Sequence, residues 1–411
     1  MSKYKPLVLT EYQKADIGES WNPEKTIIPN ELVSKLEILQ RQTKRKIFNI
    51  SRNSIQACNF VGTLAVENYS IDILPKIDKD NNSTRANLIH MLQIAKEVPY
   101  LEAGQAFLDE NYTTTILDHY MYQYVIKLAF EWRRGRICDY KKVSQNRHAL
   151  RGKLELTAHL RKNAINKHHF FTTTDVFQED VKLAQILKAA LKICLVESSW
   201  HNCRKKAQEL WQEFEHISDV VISEYHFKNL KINRLLHRFS PIIELATMIL
   251  HGKSPNLYGR AKTYSLLFDM NVVFERYIAN LLRKECDNEF IVDTQNTDKH
   301  LLTKNNKSEF SLRPDIVIYN NEEIRCIIDT KWKHLNLNKR NYGISQSDMY
   351  QMYAYGKIHN CRKVILLYPK VDNSASIVAK YNDDKNLCIY VCTVDTRWGK
   401  QNVCKYIKQL F

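Results

Sequence analysis

Two carboxylates and one ammonium fall at the ends of a single short stretch. Pro314-Asp315 opens an apolar run, Ile316-Val317-Ile318-Tyr319. Four turn-forming polar residues follow, Asn320-Asn321-Glu322-Glu323. A second run, Ile324-Arg325-Cys326-Ile327-Ile328, closes on Asp329-Thr330-Lys331. Apolar runs around such a polar tetrad predict a β-hairpin. Antiparallel pairing then brings Asp315 and Asp329 to the same end. Side chains alternate along a strand, so Asp329 and Lys331 point one way and Thr330 the other. Two acids that leave room for water and phosphate, with a cation beside the attacking water, suit hydrolysis at Mg²⁺. Acids and lysines also end ordinary solvated strands. The Pro-Asp entry and the apolar strands between the acids favour the metal site. The expected ligands are Asp315 and Asp329, with the backbone carbonyl of Thr330 as a third. Lys331 would orient the water or neutralise the transition state.

Other segments must position these groups. Ser347 to Tyr355 reads as a helix on which Asp348, Gln351 and Tyr355 share one face at i, i+3, i+7. Upstream, Ser265 to Tyr277 leads into a helix with Val272, Val273, Tyr277, Leu281 and Leu282 on its apolar side, and Glu275 lies on this helix. Glu275 reads equally as an auxiliary acid near the metal and as an ordinary helix glutamate. Arg313, just before the hairpin, would meet a phosphate or an acid. Lys363–Pro369 and 387–394 read as further strands, extending the hairpin into a mixed sheet flanked by helices.

At this point a family resemblance enters. Pro314-Asp315 with Asp329-Thr330-Lys331 looks like the PD-(D/E)xK nuclease signature. More narrowly, the chain resembles the McrC family, the nuclease subunits of McrBC-type modification-dependent restriction systems. Phe268-Asp269-Met270-Asn271-Val272-Val273-Phe274-Glu275 is similar to the F-x-M-N-x-x-F-E stretch that precedes the catalytic hairpin there. Ile73-Leu74-Pro75-Lys76-Ile77 and Arg151-Gly152-Lys153-Leu154 are similar to shorter elements of the same family. Gln351 and Tyr355 resemble the Q-x-x-x-Y element of RecB-like nucleases, where both contact the site or the DNA backbone. The resemblance is strongest over residues 260 to 370. It implies a Mg²⁺-dependent endonuclease acting on double-stranded DNA, partnered by McrB, a GTP-dependent AAA+ ring. In that family the N-terminal part of the nuclease subunit enters the ring and stimulates hydrolysis, which maps here onto residues 1 to about 250.

Composition sets the outer bounds. The 411 residues suggest two or three domains. A formal charge of +16 favours a polyanionic partner, nucleic acid before an anionic membrane surface. The densest cationic run, Arg133, Arg134, Arg136, Lys141, Lys142, Arg147, Arg151 and Lys153, reads as a DNA-backbone contact, a docking surface for a partner, or a solvated loop. None of the ten cysteines forms a C-x-x-C pair, which argues against a zinc knuckle and fits a reducing cytoplasm. Cys194, Cys326 and Cys388 read as small buried hydrophobes. No apolar run reaches membrane-spanning length, and no signal-peptide core opens the chain. Gly252-Lys253-Ser254 has Thr247 where a phosphate-binding loop needs its first glycine, so a motor must come from another chain.

The fold expected is therefore α/β (α+β). A β-rich N-terminal domain spans residues 1–80. A helical, partner-docking or DNA-contacting region spans 81–258. A PD-(D/E)xK restriction-endonuclease-like domain spans 259–411. Two other functional classes stay open: a stand-alone RecB-like repair nuclease, and a non-catalytic activator of an NTPase.

Overall fold

A computed structural model describes residues 5–77, 81–98, 114–228, 230, 234–251, 263–285, 290–295, 299–304, 307–320, 323–336, 338–370, 376–383, 386–397 and 400–410. The Gly252-Lys253-Ser254 fragment, Cys286 and the hairpin residues Asn321 and Glu322 lie outside them. The fold is mixed α/β, with several sheets and eleven α-helices among the described residues. It divides into two compact units, one made of Met1–Ile116 with Asn256–Phe411, the other of Leu117–Pro255.

Two sheets build the N-terminal part of the first unit. Strand Phe60–Val66 turns through Glu67, which sits in the left-handed region at φ 53°, into Tyr69–Leu74. Tyr69–Leu74 also pairs in parallel with Leu7–Thr10. The other edge of Phe60–Val66 receives Thr263–Asp269 in antiparallel register. Gly62 is required there. Its φ is +120°, and a Cβ would meet the Leu266 carbonyl oxygen at 2.0 Å. The second sheet has the order Ile27–Pro29, Lys14–Gly18, Ser54–Ala57, Phe48–Ile50. Helix Asn30–Thr43 packs over these strands, burying Leu32, Val33, Leu36 and Leu39 at helical spacing.

The C-terminal sheet of the same unit has six strands, in the order Phe290–Thr294, Ile316–Asn320, Glu323–Thr330, Lys363–Pro369, Cys388–Val394, Ile377–Asn382. Glu323–Thr330, Lys363–Pro369 and Cys388–Val394 run parallel, while the outer pairings are antiparallel. Parallel neighbours need a crossover, and helix Gln346–Ile358 supplies the first one. Central strands covered on both faces should be continuously apolar. Accordingly Val364, Ile365, Leu366 and Leu367 are all fully buried. Helix Met270–Glu285 buries Val273, Phe274, Tyr277, Ile278, Leu281 and Leu282. Val272, expected on that apolar face, is instead exposed, and Phe274 takes the inward position.

The second unit carries helices Lys182–Glu197, His201–Glu213 and Ser240–His251 together with most of Ile116–Arg134. It is not purely helical. Asp139–Arg147 pairs along its whole length with Phe170–Gln178, and Lys153–Leu154 adds a third short strand. Half of the dense cationic run, Lys141, Lys142, Arg147 and Lys153, thus lies on a β-ribbon, while Arg133 and Arg134 end the helix Ile116–Arg134. No alternation announced the ribbon, because both faces of Asp139–Arg147 meet solvent and so carry polar residues. Among the three cysteines expected to be buried, Cys194 and Cys326 are, whereas Cys388 is half-buried. Among the described residues no helix is long and apolar enough to cross a membrane.

The division of the chain also differs from the one expected. Thr263–Asp269 closes the N-terminal sheet instead of opening the C-terminal one, and helix Asn81–Ile94 packs on helix Met270–Glu285. Residues on either side of the second unit therefore share one core.

Candidate active site

The hairpin forms with strands Ile316–Asn320 and Glu323–Thr330. Its register pairs Ile316 with Ile328, so Asp315 and Asp329 follow at the same end, where antiparallel pairing should bring them. Thr330 is turned to a use that simple alternation does not predict. Its N–H and its hydroxyl both donate to Asp315 Oδ2, at 2.7 and 2.8 Å. Thr330 therefore braces the first acid. Lys331 continues the parallel pairing through its N–H to the Leu367 carbonyl.

Lys331 Nζ lies 2.6 Å from Asp329 Oδ2, in an ion pair whose acid is 1 % exposed. The approach is close but poorly angled, and neither Asp329 oxygen accepts a well-formed hydrogen bond. A buried carboxylate without donors is costly. Burial, and then the negative charge of Asp315, push the Asp329 carboxyl up to about 7, against the pull of Lys331. Burial likewise raises Asp315, opposed by the two Thr330 bonds and by Lys331 and Arg313. Burial alone would lower Lys331, but the Asp329 carboxylate outweighs it and holds the ammonium above its usual value. Two acids thus share one lysine in a place short of positive charge.

Gln351 and Tyr355 join this group from helix Gln346–Ile358. Ser345 caps the helix by accepting the Asp348 N–H, which starts it at the right turn to aim Gln351 inward. Lys331 Nζ donates to Gln351 Oε1 at 3.4 Å, Gln351 Nε2 donates to Tyr355 Oη at 2.7 Å, and Tyr355 donates to the Arg313 carbonyl at 2.9 Å. This chain links the lysine back to the entry of the first strand. Burial and the nearby Asp329 charge raise the Tyr355 phenol, so it stays a neutral donor.

Glu275 stands beside the pair without entering it. Its carboxyl is raised by burial and then by Asp315, which places the two acids within electrostatic reach. Gln295 Nε2 donates to Glu275 Oε1 at 2.8 Å, Arg313 donates to Gln295 Oε1, and the Gln295 N–H donates to the Asp315 carbonyl. Arg313 thus meets an acid indirectly, through an amide. Gln295 was not foreseen. It holds a left-handed conformation, φ 55°, at the end of strand Phe290–Thr294, and no local motif marks it. Asp348, expected on the same helix face as Gln351 and Tyr355, is buried, pairs with Lys333 at 3.6 Å and adds negative charge near Asp329.

The donor set suits a hard divalent cation. Among the described residues no three His, Cys, Asp or Glu side chains gather as a metal-binding group. Mg²⁺, however, is commonly held by one or two carboxylates, with water and phosphate completing its shell. The Asp329 carboxylate, with Oδ1 free of donors and Oδ2 met only by the Lys331 ammonium, matches that need beside Asp315.

A family model described as the McrBC 5-methylcytosine restriction system component matches residues 55–369. No curated protein matches the chain. Among solved structures, a chain from a half-complex of Thermococcus gammatolerans McrB AAA+ hexamers with bound McrC is similar, with a TM-score of 0.78 and 20 % identity, over 99 % of this chain and 100 % of that one. A chain of the Thermococcus gammatolerans McrBC complex gives a TM-score of 0.55 at 23 % identity, over 68 % of this chain and 87 % of that one. At such identities the likeness speaks for the fold.

Proposed function

From the premise that the chain belongs to the McrBC 5-methylcytosine restriction system component family, we propose that it is the Mg²⁺-dependent endodeoxyribonuclease subunit of a modification-dependent restriction complex. The observation that carries this reading is the convergence of Asp315, Asp329 and Lys331 at one strand end, with Asp329 Oδ2 met only by the Lys331 ammonium and Oδ1 by no donor. Asp315 and Asp329 would hold the cation, with the Thr330 carbonyl as a third ligand. Bound there, Mg²⁺ would make water a nucleophile near neutral pH and offset charge on the scissile phosphate. Thr330 keeps Asp315 oriented through its two hydrogen bonds. Lys331 would hold its ammonium beside the attacking water and a phosphate oxygen, with Gln351 helping to keep it there. Tyr355 ties Gln351 to the Arg313 carbonyl, and Glu275 acts from outside through Gln295.

The partner follows from the fold. Likeness over nearly the whole chain to one found with McrB hexamers supports a GTP-dependent AAA+ ring of the McrB type as partner. The net charge of +16 supports a nucleic-acid substrate, which the family reading narrows to double-stranded DNA.

The test is Asp329→Ala in the complex assembled with its ring partner. Mg²⁺-dependent cleavage of modified DNA should fall by at least a hundredfold, while DNA retention and the ring's hydrolysis of GTP persist. Undiminished cleavage would sink the site assignment. Cleavage by the wild-type chain alone would favour the stand-alone nuclease instead.

A further inference from the structure

Glu11 lies 318 positions before Asp329 and belongs to none of the motifs above, yet it is 2 % exposed. It follows strand Leu7–Thr10, with its N–H bonded to the Leu74 carbonyl at 2.9 Å. Its Oε2 accepts the indole N–H of Trp332 at 2.9 Å and the Lys76 N–H at 3.3 Å. Its Oε1 has no partner. A buried acid kept for packing alone would be replaced by an apolar residue at little cost. Trp332 is the residue after Lys331, and its ring lies 5.2 Å from that of Phe274, the residue before Glu275. Both flanks of the candidate site thus meet at one indole, and Glu11 is the polar group that anchors it.

The same N-terminal sheet also fastens the start of the Glu275 helix. The Met270 N–H donates to the Asn59 carbonyl, and Asn59 Nδ2 donates to Asp269 Oδ1 at 2.9 Å. Strand end and helix start are therefore tied to one sheet by separate contacts. Lys331 needs such help. Past its N–H bond to Leu367 the chain leaves the sheet, and Trp332 is the first residue beyond that last bond.

We infer that Glu11 is a positioning residue for catalysis, fixing Lys331 by holding the Trp332 indole. This rests on the nuclease reading and extends it to a residue of the N-terminal sheet. A lysine displaced by 1 Å loses much of its effect on the reacting phosphate. Losing the anchor should therefore lower the rate of the chemical step and leave DNA affinity as it was.

The test uses the full chain assembled with its ring partner, in single-turnover cleavage over a range of DNA concentrations. Glu11→Leu removes the acceptor. Trp332→Phe removes the indole N–H together with the five-membered ring, and keeps a six-membered ring against Phe274. Each should lower the maximal rate about tenfold, which is about 1.4 kcal/mol, with the half-saturating DNA concentration unchanged. Glu11→Gln retains an oxygen acceptor and should recover most of the rate. The double variant should be no slower than either single one, because both remove the same contact. Trp332→Phe carries the test if Glu11→Leu fails to fold, as judged by its melting transition. Wild-type rates in a folded Trp332→Phe, or multiplicative losses in the double variant, overturn the inference. Absence of cleavage by the wild-type complex would instead count against the nuclease reading itself.

Discussion

Replacing Asp329 by Asn should stabilise the protein in the absence of Mg²⁺ while destroying its response to the metal. The Asp329 carboxyl is held near 7 instead of its usual 3.8, chiefly by burial and by Asp315. That difference of about three units corresponds to about 4 kcal/mol of unfavourable ionisation once the group is charged. The sign follows from proton uptake. Between the two values the folded state holds the proton and the unfolded state does not, so stability falls as pH rises from about 4 to 7 and stays low above. Asn never ionises, so it escapes the penalty. The pull of the Lys331 ammonium, 2.6 Å away, is already contained in that shift and so is not subtracted again. The expected stabilisation at pH 8 in a chelator is therefore on the order of 4 kcal/mol at most. Added Mg²⁺ should narrow the gap between the two proteins. It binds the folded wild type and contributes about 2.7 kcal/mol at a hundred times its Kd, but gains little from the variant. The assay is chemical denaturation at pH 8 and pH 5, with chelator and with Mg²⁺. A variant less stable than wild type in chelator at pH 8, or an equal Mg²⁺ response in both proteins, would refute the argument that Asp329 is an under-compensated ligand.

Two further outcomes are expected. Gln351→Ala removes the partner of both Lys331 and Tyr355 and should slow cleavage by roughly 10- to 100-fold, as loss of an outer-shell contact commonly does; a rate within twofold of wild type in single-turnover assays would show that the lysine is held by Asp329 alone. Gly62→Ala forces a Cβ to within 2.0 Å of the Leu266 carbonyl oxygen at a φ of +120° and should cost several kcal/mol, on the order of the larger backbone-strain penalties, read as loss of soluble folded protein or a fall in the denaturation midpoint.

Local pattern made the centre of the site legible. The hairpin, its two acids and the helix bearing Gln351 and Tyr355 are each specified within 20 residues by alternation, turn chemistry or helical spacing. What escaped was of three kinds. Gln295 acts through an unusual backbone conformation, φ 55°, that its residue type does not announce. Glu11 and Trp332 meet across more than 300 positions, and periodicity is blind to such pairs. The ribbon Asp139–Arg147 has no buried face, so the signal that identifies half-buried strands is missing from it. The sharing of one sheet by Thr263–Asp269 and Phe60–Val66 escaped for the same reason as the Glu11 contact: pairing partners separated by some 200 residues leave no trace in either segment alone.

That late pairing bears on how the molecule is made. During synthesis the hairpin Phe60–Leu74 emerges early, but the strand that covers its open side follows only after the whole of Leu117–Pro255. For that interval an apolar ribbon offers bare backbone amides and carbonyls to any passing chain, the condition under which nascent sheets mispair. At about 5–20 residues per second the delay is on the order of 10–40 s. Faster maturation of the interposed unit would not shorten it, since the wait is set by the ribosome; the vulnerable period scales with the number of codons between the two strands.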